Sequence, residues 1–206
     1  MIEDCSPYYV RFRHEGSEEI IKMLQKLVVL HKKPLDAFTH YLTTDENRKV
    51  VSLGPMRDNP EMCTKMAIIT IPPGAVSTIH SDVQWHLNYI VNQEGANGVV
   101  NWYDPALFNQ YPMEYLEKNK QWVPTGYDPR LKPGYNPKVD IKYTPPTNTL
   151  ISARFLEGDV ILFNSSLLHD FQNRSITQER SVMISVPADT NSTFEQAKEY
   201  FKFNSL

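Results

Sequence analysis

The sequence predicts a mainly β protein with flanking helices, arranged as a double-sheet jelly roll. Three observations predict it. About eight short β-rich runs fill the middle of the chain, Gly- and Pro-bearing turns punctuate them, and amphipathic helical patterns stand at both ends. At 206 residues the chain fits one domain spanning 1–206, long enough to bury a core without disulfides or a structural metal.

The elements follow in order. Ser17 is placed to cap a helix through about Lys32, with Ile20, Ile21, Leu24, Leu27 and Val28 on its apolar face. Residues 35–66 are mixed in character, with turns marked at Gly54-Pro55 and Asn59-Pro60, and no element is assigned to them. Strand texture begins with Met66 to Ile71 and continues, after the Pro72-Pro73-Gly74 turn, with Val76 to Asp82, Leu87 to Asn92 and Val99 to Tyr103. A proline- and tyrosine-rich insertion at about 105–148 interrupts the rhythm, with one short helix expected near Met113 to Lys120. So long a segment without clear strands suits a lid or a binding loop, or else a packing element. Strands resume at Leu150 to Leu156, at Asp159 to Phe163 after a Glu157-Gly158 turn, and at Arg180 to Val186. A last helix is expected from Ser192, where Glu195 completes a capping box ahead of Ala197, Tyr200 and Phe201.

Composition narrows the function classes. Hydrophobic residues make up 41% of the chain and charged residues 22%, and no apolar run approaches a transmembrane span, so no membrane role is expected. The N-terminus has no basic start followed by an apolar stretch, and the two cysteines, Cys5 and Cys63, stand far apart; both fit a reducing, cytoplasmic location. A net charge of −3 gives no overall basic field for nucleic acid and leaves only a local patch open.

Chemistry concentrates at His80-Ser81-Asp82. On a strand, the period of two sends His80 and Asp82 to one face, with Cα atoms about 6.5 to 7 Å apart, and two such side chains can close on one ion. In a jelly roll an early strand can present this pair while a late, antiparallel strand ends at His169. Two imidazoles and one carboxylate on one face of an octahedral ion leave three adjacent positions open, which suits non-haem Fe(II) and oxygen chemistry, whereas zinc favours a closed tetrahedral shell.

The order Ile71-Pro-Pro-Gly74, His80-Ser-Asp82, Leu87-Asn-Tyr89, Asn101-Trp-Tyr103, Glu157-Gly-Asp-Val-Ile-Leu-Phe163, His169 and Arg180 resembles the 2-oxoglutarate/Fe(II)-dependent dioxygenases. The likeness is greatest to their small single-domain, hydroxylase-like members, including phage-borne ones, and it covers roughly residues 66–186. The resemblance implies a double-stranded β-helix, cupin-like fold, with Fe(II) on His80, Asp82 and His169 and the distal carboxylate of 2-oxoglutarate on Arg180. It also implies that O2 and 2-oxoglutarate are consumed, with succinate and CO2 released as a substrate is hydroxylated. A guanidinium stays charged and meets a carboxylate through two parallel hydrogen bonds, which suits Arg180 to that part.

One position departs from the pattern. Many members carry Ser or Thr two residues after the arginine, and here that residue is Val182. Asn88 and Tyr89 are the candidates for the missing cosubstrate contact; strand parity turns only one of them inward, and Tyr89 is preferred. His86 reads as a pocket or surface residue, His14, His31 and His40 as structural or solvated, and Asn173 with Ser175 as a turn. Trp102 and Tyr103 suit either the core or the pocket wall. The substrate is unnamed, with a small molecule or peptide favoured over nucleic acid, and the oligomeric state is left open. Two further readings stand beside the dioxygenase: a cupin-like metalloenzyme that does not use 2-oxoglutarate, and a non-catalytic jelly-roll binding module.

Overall fold

Fifteen β-strands and α-helices build the computed structural model, which describes residues 2–31, 38–58, 60–77, 79–82, 84–93, 95–106, 113–116, 121–124, 149–189 and 191–201. A seven-stranded antiparallel sheet runs in the order β1 (Glu3–Cys5), β2 (Tyr9–Phe12), β10 (Val160–Phe163), β5 (His86–Asn92), β12 (Arg180–Pro187), β4 (Cys63–Ile71), β3 (Phe38–Tyr41). A three-stranded sheet of β11 (His169–Asn173), β6 (Gly98–Tyr103) and β9 (Thr149–Phe155) faces it. The protein is thus mainly β with flanking helices, folded as a cupin-like jelly roll.

The large sheet is apolar on both faces, for different reasons. Leu87, Tyr89 and Val91 of β5, Val160 and Leu162 of β10, and Met183 of β12 turn outward and pack under the helices. There they meet Ile20, Ile21, Leu24 and Val28 of α1 (Ser17–His31), Val50 of α2 (Thr44–Leu53) and Phe194 and Ala197 of α3 (Phe194–Tyr200). The opposite face contributes Ile90, Ile161, Phe163 and Val182 to a second core shared with Val100, Trp102, Ala153 and Phe155 of the small sheet. Alternation along each strand therefore divides a helix side from an inter-sheet side.

The structure corrects several expectations. The unassigned stretch 35–66 holds β3, α2 and the start of β4; α2 begins with a capping box in which Thr43 accepts from the Glu46 amide and Glu46 accepts from the Thr43 amide. The last helix is capped one residue later than expected, by Thr193 with Gln196 as its reciprocal partner, in place of Ser192 with Glu195. Near Met113 the chain forms a hairpin, β7 (Met113–Leu116) paired with β8 (Gln121–Pro124), where a helix was expected. A lone helix of two turns is marginal, and cross-strand pairing satisfies the same backbone groups. Most of the insertion at 105–148 lies outside the described residues, and with it the choice between a lid or binding loop and a packing element. Residues 76–82 are not a continuous strand; they touch β11 through isolated bridges at Val76–Gln172 and His80–His169. His169 opens β11 instead of closing a strand. Among the described residues, no helix is long and apolar enough to cross a membrane.

Candidate metal centre and its cavity

His80 and His169 are held together by their backbones. The His80 amide donates to the His169 carbonyl at 2.9 Å and the His169 amide returns the bond at 2.8 Å. One turn further out, the Asp82 amide donates to the Ser165 carbonyl at 2.8 Å and the Ser166 amide to the Gln84 carbonyl at 3.0 Å. This ladder sets Asp82 beside the two imidazoles. Gln84 then takes φ 78°, the left-handed region that side chains rarely adopt, and turns the chain into β5.

The three side chains converge. Asp82 Oδ2 lies 3.7 Å from His80 Nε2 and 3.8 Å from His169 Nε2, and all three potential ligand atoms fall within 4.8 Å of one another. Neighbouring ligands of an octahedral ion with bonds near 2.1 Å stand about 3 Å apart, so modest rotamer adjustment closes this set on one ion. His169 Nδ1 lies 2.8 Å from the Leu167 carbonyl and must donate to it, which leaves the Nε2 lone pair facing the site. Burial, reinforced by the neighbouring His80, pushes the His169 imidazole down to about 3, so it is neutral at pH 7 and able to act as a ligand. Both imidazoles are buried, and Asp82 remains partly open to the cavity.

A cavity of about 670 Å³ runs from this cluster between the sheets. Its wall from β12 is Arg180, Val182, Ile184 and Val186, every second residue of the strand. Aliphatic and aromatic side chains from both sheets, including Ile69, Ile90, Val100 and Phe171, complete much of the lining. The parity of β5 reverses the preference between the two cosubstrate candidates. Asn88 lines the cavity with His86, while Tyr89 faces the helices, where its hydroxyl meets His14 Nε2 at 2.8 Å. Tyr89 is thus a packing residue and His14 its half-buried partner. Trp102 is sealed in the inter-sheet core against Tyr9, and the Tyr103 hydroxyl donates to Asp170 at 2.7 Å. Asn173 and Ser175 build a turn: Asn173 donates to the carbonyls of Ile71, Pro72 and Gln178, and Ser175 Oγ accepts from the amides of Thr177 and Gln178.

Arg180 is the electrostatic exception in this cavity. It is only 3% exposed, its Nε has no hydrogen-bond partner among the described residues, and Nη1 reaches the Gln172 carbonyl only at 3.5 Å. No carboxylate pairs with it among the described residues, and burial lowers its guanidinium to about 10, still charged at neutral pH. A buried, unpaired cation is costly, and an anion entering the cavity would relieve that cost. The wall residue Val182 offers no hydrogen bond to such an anion.

No family model matches the sequence, and no curated protein sequence matches it. Among solved structures, the chain is similar to the epimerase SnoN in complex with Fe3+, alpha ketoglutarate and nogalamycin RO. The TM-score is 0.52 at 10% identity, over 88% of this chain and 78% of that one. What the two share is the fold. A second SnoN structure, described as a non-heme alpha ketoglutarate dependent epimerase, gives 0.51 at 11% identity over the same shares. HygX from Streptomyces hygroscopicus, with nickel and 2-oxoglutarate bound, gives 0.49 at 11% identity, over 86% of this chain and 80% of that one.

Proposed function

We propose that the protein is an Fe(II)- and 2-oxoglutarate-dependent oxygenase acting on a small molecule. One observation carries the reading: a two-histidine, one-carboxylate cluster and a buried guanidinium without a carboxylate partner among the described residues line the same cavity. His80, Asp82 and His169 would hold Fe(II), and Arg180 would take the distal carboxylate of 2-oxoglutarate. Asn88, paired with Ile184 two positions along β12 from Val182, lines the same cavity and would be open to the cosubstrate or the substrate. The similarity in fold to SnoN, described in complex with iron and alpha ketoglutarate, supports the same reading.

Bound iron and 2-oxoglutarate would supply the oxidising chemistry, with O2 consumed and succinate and CO2 released. The chain's own residues would bind and orient. His169 presents Nε2 because Leu167 fixes its tautomer, and Asp82 supplies the negative charge. Aliphatic and aromatic side chains form much of the remaining wall, which suits an apolar part of a substrate. Hydroxylation is the proposed outcome; epimerisation of the kind named for SnoN is the second reading, and it uses the same site.

Succinate release in air tests the proposal. Fe(II)-dependent succinate formation, screened with small metabolites and peptides, is expected to rise with the true substrate, and Arg180→Ala is expected to raise the KM for 2-oxoglutarate. Metal binding without any succinate formation would favour the cupin-like alternative, and no metal binding would favour the binding module.

A further inference from the structure

The socket behind the Arg180 guanidinium is built by Gln93 and Gly98. Gly98 opens β6, in register with Asn173 of β11 and Phe155 of β9. A Cβ at this position would meet Gln93 Oε1 at 1.9 Å and Arg180 Nε at 2.7 Å. Its φ is not in the left-handed region, so glycine is needed here for space and not for conformation. Gln93 is 5% exposed, and its Nε2 donates to the carbonyls of Gly95, at 2.6 Å, and Phe155. Two carbonyl acceptors fix which end of the amide is nitrogen, leaving Oε1 aimed into the socket. That Oε1 has no hydrogen-bond partner among the described residues, and neither has Arg180 Nε. An acceptor and a donor, both buried and both unpartnered, therefore converge on the one point that Gly98 leaves empty.

Resting on the cosubstrate reading above, we infer that Gln93 is the positioning residue for Arg180: its Oε1 receives the Nε–H when a carboxylate engages the guanidinium, and Gly98 gives the pair room. Holding Nε from behind turns the Nη1/Nη2 edge toward the ligand, the edge that meets a carboxylate with two parallel bonds. The device compensates for Val182, which cannot share the carboxylate, by fixing the one group that can. A neutral amide oxygen is also the right acceptor. A carboxylate at position 93 would pair with Arg180 and oppose a dianionic ligand.

Two 2-oxo acids separate this role from a merely structural one. 2-Oxoglutarate reaches Arg180 through its distal carboxylate, whereas 2-oxobutanoate chelates a metal through the same atoms but has no distal carboxylate. Anaerobic binding of each to the Fe(II)-loaded protein is read by the visible chelation band. Gln93→Glu is expected to raise the Kd for 2-oxoglutarate about tenfold or more and to leave that for 2-oxobutanoate within about twofold. Gly98→Ala is expected to act in the same direction, and Gln93→Met, of similar size and neutral, more weakly. Wild-type affinity for 2-oxoglutarate in Gln93→Glu, or equal loss of both acids, would overturn the inference while leaving the cosubstrate reading intact. A wild-type protein with no preference between the two acids would overturn that reading and this inference with it.

Discussion

Asp82 is the only carboxylate in a cluster that otherwise consists of imidazoles, and its charge is what a divalent cation there would depend on. Asp82→Ala is expected to lower Fe(II) or Ni(II) affinity at least about 100-fold in anaerobic calorimetry, more than the loss of a supporting hydrogen bond would. Affinity within tenfold of wild type would remove Asp82 from the ligand set. A second residue-scale expectation concerns His14, which burial holds down to about 4 beneath the Tyr89 hydroxyl. The unfolded chain takes up that proton near pH 6.5 and the folded chain near 4, so the unfolded state binds more protons between these values. Stability of the metal-free protein therefore falls as pH drops from about 6.5 to about 4, with the buried His169 adding to the same trend. Thermal unfolding across this range is expected to show a shallower slope in His14→Gln, and an unchanged slope would remove His14 from the account. The pairing of His14 with Tyr89 was not legible in the sequence, because the two lie 75 residues apart and meet only through the packing of β5 under α1.

At the scale of elements, what the sequence revealed was what local periodicity encodes. The α1 face of Ile20, Ile21, Leu24 and Val28 is buried as its 3.6-residue spacing predicts, and the main strand runs were readable from their β-branched residues and turns. α2 was missed although its Thr43-to-Glu46 capping box was present, because only Val50 of that helix is buried and the apolar stripe is thin. Thr43→Ala is expected to cost about 1 kcal/mol and to lower Tm by about 2 to 4 °C. No change in Tm would mean that α2 is held by its packing alone. The face of β5 was misjudged for a different reason: its residues are apolar on both sides, so Ile90 and Val91 look alike in sequence while one meets the cavity and the other the helices. Register with β10 and β12 decides the matter, and register is a long-range property. Gln93 and Gly98 carried no local signal at all, since their importance comes from where Arg180 arrives from 82 residues further on.

For the molecule as a whole, the large sheet separates two jobs: its outer face binds the helices and its inner face lines the cavity. Stability and chemistry are therefore expected to respond to different substitutions. Leu24→Ala, fully buried on the helix side, is expected to cost about 2 to 5 kcal/mol in denaturant unfolding while leaving metal affinity unchanged below the transition. A parallel loss of metal affinity would show the two faces to be coupled. The central claim, that one cavity joins a facial metal triad to a carboxylate-binding arginine, is tested most directly by anaerobic titration of the Fe(II)-loaded protein with 2-oxoglutarate. A visible chelation band saturating at one equivalent, lost in Asp82→Ala and displaced to higher 2-oxoglutarate concentration in Arg180→Ala, is the predicted result. Metal binding with no band at any 2-oxoglutarate concentration would contradict it.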